Sequence, residues 1–140
     1  MTDEELELMI KRHEGGPYDV YLDSLGIPTL GWGHALYPGS PVPFEVAQTF
    51  FEHDFESACD DADLIIAKYD INIDSTRRGV LVDMAFQLGR SKLMAFKKMI
   101  AALIINDHDE AANQILDSTA AKQCPSRYKE LAGIMRSGRI

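Results

Sequence analysis

The stretch FEVAQTFFEHDFESACDDADLIIAK, Phe44 to Lys68, decides the fold. Phe50, Phe51, Phe55, Ala58, Ala62 and Ile65 recur along it at helical spacing, and Pro43 is suited to the start of a helix. A second stripe, Glu52, Glu56, Asp60 and Asp63, falls within about 80° at 100° per residue. Like charges at i,i+4 cost about 0.2–0.5 kcal/mol per pair. That stripe reads either as a solvated face that keeps the protein soluble or as a docking face for a basic partner.

The chain before this helix differs from the chain after it. Residues 2–14 read as an amphipathic helix: Thr2 and Glu5 have capping-box spacing, Leu6, Met9, Ile10 and His13 form a stripe, and Gly15-Gly16 end it. Tyr18, Val20, Tyr21 and Leu22 suggest a short strand, and Thr29 to His34 another. The glycines there, Gly33 among them, leave little bulk, so backbone can approach a ligand closely; a tight hairpin is the plainer explanation. A Pro/Gly-rich loop spans 35–43.

Helical patterns follow: one from Asp74-Ser75 to Gly89, one over 91–105, one capped by Asp107 with Glu110, and one starting at Pro125. The expected fold is α+β and mostly helical. A single domain, 1–140, would hold a small N-terminal αβ lobe (1–43), the long helix (44–68) as connector, and a C-terminal helical lobe (69–140).

Composition narrows the functions. Hydrophobic residues make up 46% and charged residues 26%, as in ordinary globular domains. No run approaches the roughly 18 apolar residues of a membrane span, so stable membrane insertion is not expected. No basic region precedes an apolar run at the N-terminus, so no signal peptide is expected. Cys59 and Cys124 read as two free, buried thiols from a reducing cytoplasm. His13, His34, His53 and His108 lack ligand spacing, so neither a metal nor another cofactor is expected. The net charge of −8 is uneven: residues 1–70 carry 15 acids against 3 bases, residues 71–140 carry 7 against 11. Nucleic acid, which needs an extended basic footprint, is excluded as the main partner, while an anionic ligand on the second half is compatible.

Two carboxylates stand out by position. Glu14 ends the first helix, where the negative end of the helix dipole, with apolar neighbours, would favour its protonated form. Asp23 sits in a wetter hairpin turn. Carboxyls whose environments push them apart suit glycoside hydrolysis; the alternative is a surface Glu and a turn Asp, both common.

The runs Lys11-Arg12-His13-Glu14-Gly15, Tyr21-Leu22-Asp23, Gly26, and Thr29-Leu30-Gly31-Trp32-Gly33-His34 resemble the active-site segment of phage-type lysozymes, glycoside hydrolase family 24. The spacing of Glu, Asp and Thr is that of the family's catalytic triad. The similarity continues through Thr76-Arg77-Arg78, Met84 to Gly89, Asp109 to Ala112 and Cys124 to Arg127, and is strongest to the T-even phage members. It implies a two-lobed lysozyme-like fold and, as substrate, the β-1,4 bond between N-acetylmuramic acid and N-acetylglucosamine of peptidoglycan, glycan strand with peptide stem.

The resemblance also implies roles. Glu14 would be the general acid, and Asp23 and Thr29 would hold the attacking water, giving inversion. A threonine hydroxyl can both donate to and accept from that water. His34 and Asp54 match a structural salt bridge. A helical wheel puts Asp54 on the apolar side of the long helix, where a partner is needed. Phe86 and Gln87 match positions lining the glycan cleft, Phe86 being alternatively plain core; Gln114 and Ser118 extend that set, with Gly33, as substrate contacts. The resemblance further implies a monomer made in the host bacterial cytoplasm, reaching the periplasmic wall by holin-dependent release or particle delivery. The chain departs from the T-even pattern with Ala120 for an aromatic residue, Asp83 for an Asn, and an acidic charge where those relatives are basic.

Two other functions compete. A lytic transglycosylase would use one acid and need no water-positioning pair. A catalytically weak wall-binding phage structural module would keep the fold alone.

Overall fold

Thr2 starts the first helix as its spacing with Glu5 requires: its hydroxyl accepts the Glu5 N–H at 3.1 Å, and its own N–H reaches Glu5 Oε2 at 2.8 Å. The computed structural model describes residues 1–15 and 17–140. Gly16, expected to share in ending this helix, lies outside the described residues. Helix α1 spans Asp3–Glu14 and stops at Gly15, whose N–H returns to Lys11 O at 3.1 Å.

The chain forms two compact units, Met1–Phe44 and Glu45–Ile140. In the first, three short strands make an antiparallel sheet in the order β1 (Tyr21–Leu22), β2 (Pro28–Leu30), β3 (His34–Ala35). Tyr21 pairs with Thr29 and Leu22 with Pro28; Thr29 pairs with Ala35 and Leu30 with His34. Two expectations are corrected here. Tyr18 and Val20 lie outside β1, and the strand expected over 29–34 is broken by a turn at Gly31-Trp32-Gly33. That turn needs left-handed backbone at both glycines, φ +62° at Gly31 and +84° at Gly33. The stripe on α1 also fails to become a buried face, since no residue of α1 is buried. A sheet of such short strands offers it no core.

The core lies wholly in the second unit, from Ala58 to Met135. Helix α2 spans Phe44–Lys68 as read from the sequence. It buries only Ala58, Ala62 and Ile65, whereas Phe50, Phe51 and Phe55 each stay about half exposed. The expected continuous apolar face therefore reaches the core only along its C-terminal half. The acidic stripe is also partly committed: Asp63 accepts both Arg78 Nε at 2.7 Å and Nη2 at 2.9 Å, and the neighbouring Asp61 accepts Arg90 Nε at 2.8 Å.

Helix α3 (Ser75–Leu88) is capped by Asp74, whose side chain accepts the Arg77 N–H. The helix expected over 91–105 is two, α4 (Arg90–Met94) and α5 (Lys97–Ile104), parted where Phe96 packs against the core. Asp107 caps α6 (His108–Leu116) as expected. A short α7 (Thr119–Gln123), unforeseen, is capped by Ser118, and α8 runs Pro125–Ser137. Ala120 on α7 is buried, and α8, which packs against α7, brings the fully buried Tyr128 ring to the same core. Cys59 and Cys124 are free, as expected, but half-buried rather than buried. Among the described residues no helix is long and apolar enough to cross a membrane.

Candidate active site

The first unit gathers Glu14, Asp23, Thr29, Gly33 and His34. Glu14 is the last residue of α1 and is exposed, so the desolvation expected from apolar neighbours is absent. Its carboxyl lies against Gly33: a Cβ built there would stand 2.8 Å from Glu14 Oε2 and 3.0 Å from Cδ. One helical turn earlier, Lys11 Nζ lies 4.8 Å from the centroid of the Trp32 ring, a cation–π distance.

Asp23 follows β1 and closes the turn into β2. Its Oδ1 accepts the N–H of Leu25 at 2.8 Å and of Ile27 at 2.9 Å, while its own N–H donates to Ile27 O at 3.0 Å. This is an Asx-type turn, which local geometry favours. It orients the half-buried carboxylate, and since both bonds fall on Oδ1, Oδ2 is left to accept from a water.

Thr29 is buried, only 2% exposed. Its hydroxyl donates to Ile27 O at 2.9 Å. With that hydrogen committed, Thr29 Oγ1 keeps acceptor capacity only, which narrows the donor-and-acceptor role expected of it. Ile27 is the residue sequence reasoning passed over: its N–H holds Asp23 and its carbonyl holds Thr29. An unremarkable β-branched residue four places after an Asp gives no chemical signal; the turn spacing was the clue.

The sequence model of the phage lysozyme family matches residues 11–137. The chain belongs to the phage lysozyme family. Relatives found across nearly the whole chain agree. It is 24% identical to probable T4-type lysozyme 2 of Dictyostelium discoideum, over 96% of this chain and 95% of that one. It is 22% identical to probable T4-type lysozyme 1 of the same organism, over 94% of each. It is also 26% identical to the pre-baseplate central spike protein Gp5 of Enterobacteria phage T4, over 94% of this chain but 28% of that longer protein. The protein is thus a lysozyme, a muramidase-type peptidoglycan hydrolase.

Apart from Gly33, the positions expected along the glycan lie on the second unit of this lysozyme. Phe86 is exposed rather than core and forms, with Phe51 (ring centroids 5.7 Å apart), Phe55, Arg78 and Arg127, a groove of about 410 Å³. Asp83, which also lines it, is the ion-pair partner of Arg127 at 2.7 Å. Both ends of the Gln87 amide are occupied: Tyr128 OH donates to Oε1 at 2.8 Å, and Nε2 donates to Cys124 Sγ at 3.3 Å. Burial pushes the Tyr128 hydroxyl above its ordinary pKa, so it stays a donor.

Gln114 and Ser118 line a separate pocket of about 650 Å³ with Lys92, Lys97 and Lys98. Gln114 Nε2 donates to Glu110 at 2.6 Å. Ser118 is engaged as a cap, accepting Ala121 N–H at 3.0 Å and donating to Ile115 O at 2.7 Å. His34 is on β3 in the first unit and Asp54 on α2 in the second; both are exposed.

Proposed function

We propose that this lysozyme hydrolyses the β-1,4 bond from N-acetylmuramic acid to N-acetylglucosamine with inversion at the anomeric carbon, using Glu14 as acid and Asp23 with Thr29 to hold the water. One observation carries the reading. In a single unit a glutamate carboxyl rests against a bare glycine backbone, and an aspartate has one oxygen fixed by two amides and the other free.

Water oxygen attacks C1 of the muramic acid residue and gives a proton to Asp23. The C1–O4 bond breaks with its electron pair on O4, and Glu14 supplies the proton that makes the new hydroxyl. Thr29 Oγ1 accepts from the same water. Afterwards Glu14 is ionised and Asp23 protonated, and solvent resets both. General acid help at the leaving oxygen is worth about 10²–10⁴-fold.

On the second unit, Phe86 offers an apolar wall to sugar rings. Gln87, with its oxygen fixed by Tyr128, offers its remaining N–H. Gln114, Ser118 and the lysines beside them meet the peptide stem. The enzyme acts as a monomer on the periplasmic wall, reached by holin-dependent release or in a particle; the match to a spike protein supports the second route.

Purified peptidoglycan digested in an NMR tube tests the reading. An α-configured reducing end should form first. A β end would overturn inversion, and anhydro-muramic ends seen by mass spectrometry would establish a transglycosylase instead. A protein that sediments with the wall and releases nothing would be a binding module.

A further inference from the structure

Two contacts join the last turn of α1 to the turn between β2 and β3. Lys11 and Glu14, three residues apart, share one face of the helix. Lys11 meets the ring of Trp32, and Glu14 meets Gly33, the next residue along the turn.

The second contact depends on a missing side chain. Gly15, Gly26, Gly31 and Gly39 share the left-handed backbone of Gly33, yet a Cβ on any of them would meet nothing within 4 Å. Only at Gly33, among the described glycines of this unit, is the space of the absent methyl taken, and what takes it is the carboxyl of Glu14, at 2.8 Å for Oε2. Left-handed backbone alone therefore does not account for this glycine.

We propose that Gly33 is a positioning residue for Glu14: its bare backbone sets where the proton-donating carboxyl rests, and the Lys11–Trp32 contact holds the turn at that spacing. The inference rests on Glu14 being the acid and goes beyond it, because it assigns Gly33 to the enzyme's own acid rather than to the sugar. An alanine methyl at this site cannot coexist with the carboxyl where it stands. One of them must move by some tenths of an ångström or more, and misplacing a catalytic group by about 1 Å costs about 10²-fold in rate.

The experiment compares Gly33→Ala with Gly39→Ala, since the two glycines have nearly the same φ, +84° and +85°, and Gly39 has nothing near it. Strain on the left-handed backbone should lower the melting temperature of both alike. On soluble peptidoglycan fragments, Gly33→Ala should lower kcat by about 10²-fold with KM little changed, while Gly39→Ala keeps wild-type kinetics. A rise in KM with kcat preserved would make Gly33 a substrate contact and overturn the proposal, as would equal loss of kcat in both variants.

Should Gly33→Ala not fold, Trp32→Leu serves. It should lower kcat about 2–5-fold at constant KM, the scale of an exposed cation–π contact; unchanged kcat would overturn the proposal. Glu14→Gln separates the two levels. If that variant stays active, the assignment of the acid has failed. If it is inactive while Gly33→Ala is fully active, the positioning role alone has failed.

Discussion

The carboxyl of Glu14 occupies the place of the side chain that Gly33 lacks, with Oε2 2.8 Å from where that Cβ would be. Glu14 is otherwise exposed at a helix end. Glu14→Gln keeps the shape but has no proton to give, so it should fold with an unchanged melting temperature and lose about 10²–10⁴-fold in lysis rate. Zymograms and turbidity decline would measure it; activity within a factor of three of wild type would remove Glu14 from its role.

Thr29→Val should separate stability from chemistry. The lost bond to Ile27 O leaves that carbonyl still accepting the Asp23 N–H. Stability should therefore fall by only about 0.5–1.5 kcal/mol, the ordinary worth of one hydrogen bond. If the hydroxyl also holds water, kcat falls by more than that destabilisation explains. Urea titration with single-turnover rates would show it, and wild-type kcat would sink the water-holding role.

Asp74 gives a pH-dependent prediction. Burial works against its carboxylate, but the Arg77 N–H and guanidinium outweigh this, holding its pKa below the ordinary value. A group with a depressed folded-state pKa contributes stability above its unfolded pKa and loses it as pH falls through the folded one. Asp74→Ala should cost about 1 kcal/mol at neutral pH, as for a lost helix N-cap. The gap from wild type should close as the solution is acidified below the ordinary carboxylate range. A gap constant with pH would show that the charge contributes nothing.

Salt should act unusually on wall lysis. Five arginines of the second unit are paired with carboxylates, whereas Lys92, Lys97 and Lys98 are in no ion pair among the described residues and border one pocket. If these lysines meet the peptide stem as proposed, their attraction to its carboxylates would be local, while residues 1–70, with 15 acids against 3 bases, would repel an anionic wall at long range. The Debye length shrinks from about 30 Å at 0.01 M salt to about 8 Å at 0.15 M, so screening removes the repulsion first. Initial turbidity loss on purified peptidoglycan should rise, or hold level, across that range. A steep monotonic fall would mean that the lysines govern wall association.

What the sequence made legible was whatever local chemistry determines. Thr2 with Glu5, Asp74 and Asp107 fix helix starts through short-range hydrogen bonds, and their helices begin where expected. The Glu, Asp and Thr proposed for the site rest on family spacing, and the structure puts all three in the first unit. Less so was anything that depends on what lies opposite. The period of Phe50, Phe51 and Phe55 matches that of Ala58 and Ile65, but periodicity cannot say where a core ends. The break at Phe96 is set by the core it packs against, and the hub at Ile27 by backbone groups that any residue carries.

Every buried apolar residue of the core lies between Ala58 and Met135, while the proposed acid, aspartate and threonine lie within the first 44 residues. The segment that carries the proposed catalytic groups is therefore held by a few turns and caps, and the segment that holds the buried core carries none of them. Amides of the first unit, such as those of Leu25 and Gly26, should exchange with deuterium through small local openings, long before those of α6 and α8. Heat should then extinguish lysis below the temperature at which helical circular dichroism collapses. Improving the core would lengthen the life of the scaffold without lengthening that of the catalyst; a longer-lived catalyst would have to come from the sheet and the turn that carries Gly33.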